Sequence, residues 1–266
     1  MMMNISKLQT LCQIAEAAGR EIMAVYRDGG AVWQKDDASP LTEADLRADR
    51  VIRDGLEEHF PGVFALSEES VSEGKRDATT YFLVDPLDGT KEFLKRNGEF
   101  TVNIALIERG CPVAGVVFAP ALDELFYAAQ GLGAWKRDAK GLSISLQTAK
   151  FDGARALRVI GSRSHGAEEL TSWLERLDYQ YEFIAAGSSL KFCRLAEGLA
   201  DVYPRFGLTS QWDTAAAQCV LEAAGGVVTN LSGNVIQYGL DLPTLNPHFL
   251  ATSGTAVQVR LLSAQG

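Results

Sequence analysis

Three observations predict a layered protein that is α+β in its first part and α/β in its second. Apolar residues near the start recur at helical spacing. The middle of the chain changes to short apolar runs at hairpin spacing. After about residue 150, strand-like and helix-like segments alternate. Helices followed by consecutive strands read as α+β, and alternation reads as α/β.

The elements follow in order. Ile5, Leu8, Leu11, Ala15, Ala18, Ile22 and Val25 predict an amphipathic helix over residues 4–27, stopped by Gly29-Gly30. Ala44, Ala48, Val51, Ile52 and Leu56 mark the buried side of a second helix over 42–60, closed by Pro61-Gly62. Strands are expected at 63–66, 81–84, 101–107, 113–118, 124–129 and 142–146, punctuated by Gly110, Pro112, Pro120, Gly131 and Gly133. This is a pair of helices on one largely antiparallel sheet. Beyond it, strands at 157–160, 181–184, 202–203, 227–228 and 249–252 alternate with helices at 168–177, 190–199 and 214–224. The polar cluster at 147–155 sets a soft boundary between an N-terminal half, 1–150, and a C-terminal half, 151–266. No Pro- or Ser-rich linker separates them, so the halves are expected to pack intimately.

Composition excludes several classes. The 266 residues are 47% hydrophobic and 22% charged, which fits an ordinary globular protein. No stretch nears the ~18 apolar residues of a membrane span. Lys and Arg total 25 against 34 Asp and Glu, a net charge of −9. That argues against a grip on polymeric nucleic acid, but not against a small phosphorylated ligand. Cys12, Cys111, Cys193 and Cys219 form neither a C-x-x-C pair nor a zinc pattern with the three His. The start lacks a signal peptide's basic and apolar regions, so a reducing cytoplasm is the expected compartment.

Chemistry gathers where apolar strands run into acids. Residues 81–84 lead directly into Asp85-Pro86-Leu87-Asp88-Gly89-Thr90. Pro86 fixes its own φ and Gly89 permits a tight turn, so two carboxylates and a carbonyl can face one point. Such an all-oxygen set suits a hard cation such as Mg²⁺. Thr90 would open a short helix whose free N–H groups can seat a phosphate. The same residues are also ordinary turn chemistry. Glu68 and Glu69 end another strand, and Asp213 lies at the start of an Ala-rich helix. Asp213 as an N-cap, and Asp45 in a Thr42-x-x-Asp45 capping box, are the structural alternatives. Two carboxylates ~4 Å apart repel by ~4 kcal/mol at an effective dielectric of ~20. Four make six pairs, a repulsion comparable to a domain's whole stability of ~5–15 kcal/mol. If these acids meet, they need cations or protons.

Together, Ser67-Glu68-Glu69-Ser70, Asp85-Pro86-Leu87-Asp88-Gly89-Thr90 and Trp212-Asp213-Thr214-Ala215-Ala216 resemble the motifs of the inositol monophosphatase superfamily, in the family's order and spacing. Residues 91–100, 187–193 and 203–207 are more similar to its 3′(2′),5′-bisphosphate nucleotidase branch, with Lys91-Glu92-Phe93 where inositol monophosphatases more often carry Thr-Asn-Phe. The resemblance covers nearly the whole chain. It implies an αβαβα sandwich of the sugar-phosphatase type and a Mg²⁺-dependent, lithium-sensitive phosphatase. The implied substrate is adenosine 3′,5′-bisphosphate, a by-product of sulfotransfer, cut to AMP and phosphate.

By that resemblance, Glu68, Asp85 and the Leu87 carbonyl hold one Mg²⁺. Asp85, Asp88 and Asp213 hold a second, and a third, looser ion sits near Glu68. Thr90, paired with Asp45, orients the attacking water or accepts its proton. Gly89 and Thr90 contact the phosphate that is cut. Ser162, His165, Ser189, Lys191 and Arg205, with Asp213, contact the rest of the nucleotide. Glu69 is read as a neighbour of Glu68 without its role. The alternatives are an inositol monophosphatase or fructose-1,6-bisphosphatase-type sugar phosphatase using the same site, and a nucleotide- or metal-binding regulator without catalysis. A monomer or homodimer is expected, either free in the cytoplasm or resting on the cytoplasmic face of the inner membrane.

Overall fold

The structure is a computed structural model, described here for residues 3–35, 40–70, 79–162, 167–177 and 179–263. The predicted amphipathic stripes become helices α1 (Ile5–Asp28) and α2 (Glu43–His59), with a short hairpin of β1 (Val32–Gln34) and β2 (Pro40–Thr42) between them. The strands β3 (Phe64–Ser67), β4 (Thr80–Asp88), β5 (Thr101–Glu108), β6 (Cys111–Ala119), β7 (Glu124–Ala129), β8 (Gly133–Arg137) and β9 (Ser143–Ser145) lie side by side in chain order. Every neighbouring pair is antiparallel except β3 and β4, which are parallel. The one-turn helix α3 (Thr90–Leu94) follows β4 directly.

The second half alternates as expected. It comprises β10 (Leu157–Gly161), α4 (Ala167–Glu175), β11 (Tyr181–Ala185), α5 (Leu190–Ala196), β12 (Val202–Arg205), α6 (Gln211–Ala223), β13 (Val227–Asn230), β14 (Phe249–Thr252) and α7 (Thr255–Ser263). Its five-stranded sheet has the order β11-β10-β12-β14-β13. The pairs around β10 are parallel and those around β14 antiparallel.

Side-chain alternation along the strands stacks these elements into five layers. On β4 and β5, Phe82, Val84, Val102, Ile104 and Leu106 pack under α1 and α2. Tyr81, Leu83, Ala105 and Ile107 face the other way, onto α5 and α6. That central helical layer also meets Ile160, Tyr203, Phe249 and Ala251 of the second sheet. The second sheet's outer face, with Leu157, Val159, Val202 and Leu250, is covered by Leu170 and Trp173 of α4 and by Val257 and Leu261 of α7. Both sheets are thus buried on both faces, which is why runs such as residues 81–84 are apolar throughout. The layer order is αβαβα, and the two halves share one core through α5 and α6.

Three local readings change. Residues 133–137 form strand β8, although Gly131 and Gly133 read as punctuation. Both glycines have positive φ, 80° and 81°, and shape the turn that starts the strand. Strand β4 does not stop at Val84 but continues through Asp88, with a register shift between Asp85 and Asp88. Finally, α6 begins at Gln211, so Ser210 is its N-cap and Asp213 its third residue rather than its cap. Thr255–Ser263 adds a helix that the periodicity did not single out.

Helix α6 approaches β6 closely because both surfaces carry little. A Cβ on Gly115 would lie 2.3 Å from the Ala216 carbonyl oxygen and 2.9 Å from Cys219 Cβ. Ala215, Ala216 and Ala217 are all buried in that layer. Gly115→Ala is therefore expected to lower stability by about 1–3 kcal/mol, the usual penalty of overpacking. Thermal or denaturant unfolding measures it. An unchanged midpoint would show that the layer can part without cost.

Candidate active site: an acid cluster facing a buried cation pair

The catalytic candidates converge where β3 and β4 end and α6 begins. Ligand oxygens of Glu68, Asp85 and Asp213 lie within 4.8 Å of one another. They line a cavity of about 390 Å³ together with Leu87, Asp88, Gly89, Thr90, Ser162, Ser189, Lys191 and Arg205. His165 lies outside the described residues.

The backbone holds these acids by one oxygen each. The Leu87 N–H donates to Asp85 Oδ1 at 3.0 Å. The Ser210 N–H donates to Asp213 Oδ2 at 2.9 Å, in a capping box at the start of α6. The Thr42 N–H and hydroxyl donate to Asp45 Oδ2 at 2.7 and 2.5 Å, in the capping box of α2. Capping therefore occupies only one oxygen of Asp45 and of Asp213, and leaves the other able to face the cavity or a partner. The other oxygen of Asp45, Oδ1, accepts from the Thr90 hydroxyl at 3.4 Å. That hydroxyl has a second acceptor in the Leu87 carbonyl at 3.3 Å.

Asp88 stands outside the triad but repels it: its charge raises the pKa of both Asp85 and Asp213. The Ser189 N–H and hydroxyl reach Asp88 Oδ2 at 2.6 and 2.8 Å, and Asn103 Nδ2 reaches it at 3.4 Å. Ser188, just before, holds a left-handed φ of 44°, unusual for a residue with a side chain. The Ser189 hydroxyl also touches the Asp213 carbonyl at 2.8 Å. Ser189 is thus buried and braces Asp88 against α6.

Several supporting residues were not singled out from sequence. Asp49 accepts from the Ser67 and Ser70 hydroxyls at 2.6 and 3.1 Å, pinning both ends of Ser67-Glu68-Glu69-Ser70 to α2. Lys35 donates to Glu68 and Glu69, each at 2.6 Å. The only sequence signal for Asp49 was its place on the buried side of α2. Lys35 carried none, since it comes from a charged loop 33 residues before Glu68.

Burial and like charge drive the site's acidity upward. Burial, with the Glu68, Asp88 and Asp213 charges behind it, raises Asp85 well above the carboxylate range. Burial and then Asp88 do the same to Asp213. Asp45 is pushed up to about 6, chiefly by burial. On the facing wall, burial lowers the fully enclosed Lys191 to about 8. Its ammonium donates to the Ser188 carbonyl at 2.6 Å and lies 5.4 Å from the Tyr203 ring centre. Arg205 Nε is buried with no hydrogen-bond partner among the described residues, while its Nη2 donates to the Leu208 carbonyl at 2.8 Å. The cavity thus sets an acid wall that calls for cations against a basic wall that calls for an anion.

This fold and this acid set define a class. The family model of the inositol monophosphatase family matches residues 4–265, and the chain belongs to that family. Among its relatives, the 3′(2′),5′-bisphosphate nucleotidase CysQ of Salmonella typhimurium is 48% identical over 250 residues, covering 92% of this chain and 99% of that protein. The Escherichia coli K12 protein of the same name is 47% identical over 247 residues, covering 91% and 98%. Among solved structures, CysQ from Bacteroides thetaiotaomicron matches with a TM-score of 0.80 and 38% identity over 93% of this chain and 97% of that one. The suppressor protein suhB of Bartonella henselae matches with a TM-score of 0.82 and 27% identity, covering 97% and 98%. The family is metal-dependent, in keeping with the acid cluster. No helix among the described residues is long and apolar enough to cross a membrane, and all four cysteines are free.

The raised carboxyls give a sign for pH dependence. A carboxyl whose folded pKa exceeds its unfolded value holds its proton more tightly in the native state. Its stabilisation is present below the unfolded value and is lost as pH rises through the folded one. Without metal, stability should therefore fall from about pH 4 to about pH 8, through Asp45 and then Asp213. Excess divalent cation should flatten that slope. Melting temperatures across this range, in chelator and in Mg²⁺, check it. A flat metal-free profile would mean that neither burial nor neighbouring charge raises these acids.

Proposed function

We propose that this protein is a 3′(2′),5′-bisphosphate nucleotidase that hydrolyses the 3′-phosphate of adenosine 3′,5′-bisphosphate to AMP and phosphate. The observation that carries this reading is the cavity's second pole. A phosphomonoester needs only the acid wall and its cations. The buried Lys191 and the unpartnered Nε of Arg205 answer to a second anionic group on the same substrate. This favours a bisphosphate over inositol 1-phosphate. The nucleotidase name of relatives 47–48% identical to this chain points the same way.

The donors facing the cavity are oxygens, as a hard cation requires. Glu68, Asp85 and the Leu87 carbonyl would hold one Mg²⁺, and Asp85, Asp88 and Asp213 a second, with Glu68 available to a third. When bound, the ions supply a water nucleophile near neutral pH and neutralise charge on the phosphate and the departing ribose oxygen. The chain's own residues do the rest. Thr90 keeps its hydroxyl proton in a hydrogen bond to Asp45 or to the Leu87 carbonyl, so its oxygen lone pair can accept a hydrogen bond from the attacking water and orient it. Gly89, with φ 92°, turns β4 into α3, so the first N–H groups of that turn meet the phosphate being cut. Lys191 and Arg205 hold the 5′-phosphate, with Ser162 lining the same cavity. Ser189 acts by fixing Asp88. The protein is expected to work in the cytoplasm, as a monomer or homodimer.

Phosphate release should be fastest from adenosine 3′,5′-bisphosphate, compared with inositol 1-phosphate and fructose 1,6-bisphosphate, and should stop in chelator. Faster release from inositol 1-phosphate would overturn the assignment, and no release from any of them would favour a binding regulator. Asp88→Asn should cut kcat by about 100-fold or more, at least the cost of losing a strong supporting contact to a metal. Glu69→Gln should matter less than Glu68→Gln. Lys191→Met should raise KM for the bisphosphate by about 10- to 100-fold, as expected for a lost charged hydrogen bond.

A further inference from the structure

Two exposed leucines line this polar cavity. Leu208 is 70% exposed and Leu245 48% exposed, yet both line the cavity. Isolated exposed leucines are ordinary. These two differ in being held together by a built scaffold. Ser210 and Leu245 form an isolated antiparallel bridge between the loop before α6 and the loop before β14. The Asn246 N–H donates to the Thr209 carbonyl at 2.8 Å and the Gln211 N–H to the Thr244 carbonyl at 2.9 Å. The Asn246 side chain donates to the Ser210 carbonyl at 2.7 Å and to the buried Thr214 hydroxyl at 3.0 Å. The Gln211 side chain donates to the Gly239 and Pro243 carbonyls at 3.0 and 2.9 Å. The rim is therefore fixed to the first turn of α6, the turn that carries Asp213.

We propose that Leu208 and Leu245 form the seat of the substrate's nucleobase and are the residues that distinguish a nucleotide from a sugar bisphosphate. The proposal rests on the nucleotidase reading above and deepens it. The Leu208 carbonyl accepts from Arg205 Nη2 at 2.8 Å, so the apolar rim begins where the basic wall ends. A ligand anchored by one phosphate on Arg205 and Lys191 and by the other on the acid wall has its ribose between them. The group on that ribose lies against the rim. A flat, largely apolar purine gains from covering leucine there, whereas a bare sugar phosphate gains nothing. The metals cannot supply this discrimination, because every phosphate ester presents the same group to them.

The test uses binding of product-like ligands in Mg²⁺, so it does not depend on turnover. AMP and ribose 5-phosphate share the sugar and the 5′-phosphate and differ in the base. By calorimetry, the protein should bind AMP about tenfold more tightly, the order of magnitude for burying a modest apolar area. In the Leu208→Ser, Leu245→Ser double variant that preference should vanish, with an unchanged melting temperature because both side chains are exposed. Equal binding of the two ligands by the unmodified protein, or a preference that survives in the variant, would overturn the seat. If AMP is preferred and the variant loses the preference while adenosine 3′,5′-bisphosphate is not hydrolysed, the seat stands and the hydrolysis reading falls. If hydrolysis occurs without any preference for AMP, the reverse holds.

Discussion

The site depends on one constraint: carboxylates must be held close together although they repel. At ~4 Å and an effective dielectric of ~20, each pair costs ~4 kcal/mol. The chain meets this by fixing each acid through one oxygen. Asp85 is held by the Leu87 N–H, Asp213 by the Ser210 N–H, Asp45 by Thr42, and Asp88 by Ser189. Each of these bonds favours the ionised form. None cancels the cost of burial and of neighbouring charge, since Asp85 and Asp213 remain raised despite them. The backbone fixes where the acids stand, and the residual repulsion becomes the affinity for cations.

That arrangement places demands on the core. Asp213 is positioned by the start of α6, and α6 is positioned by its close contact with β6 at Gly115. The central helical layer therefore transmits the geometry of the first sheet, which brings Asp85 and Asp88, to the residue that completes the triad. Small residues on both surfaces are what permit the approach. The shared core explains why no flexible linker separates the halves: the site is made of both, and relative motion would open it.

Much of this was legible in the sequence, for physical reasons. Apolar runs buried on both faces announce central strands, and acids directly after them lie at sheet ends, where loops carry chemistry. Capping boxes are local, so Thr42 with Asp45 could be read from spacing alone. What depends on distant partners could not. Nothing near Ser189 says that it will meet Asp88, 101 residues earlier. Nothing near Gly115 shows that α6 passes over it. Strand β8 was hidden because glycines that shape a turn look the same as glycines that end a segment. Leu208 and Leu245 were invisible because the segments around them have ordinary composition, and Lys35 because its acid partners lie 33 and 34 residues further on.

The two walls of the cavity also bear on each other. Lys191 is lowered to about 8 because burial penalises its charge, while the Asp88 charge opposes that effect. The acids are raised by burial and by one another. Lys35 offsets only Glu68 and Glu69 on the acid wall, and the cavity separates the remaining acids from Lys191 and Arg205. A ligand bearing two phosphates, accompanied by divalent cations, satisfies both walls at once. On the proposed reading, the cations would offset the acids, one phosphate would meet the cations, and the other would meet Lys191 and Arg205. A monophosphate with the same cations leaves the basic wall buried and unanswered. The net charge of −9 is then no obstacle to an anionic substrate, because local field at the cavity, and not the total, decides what enters.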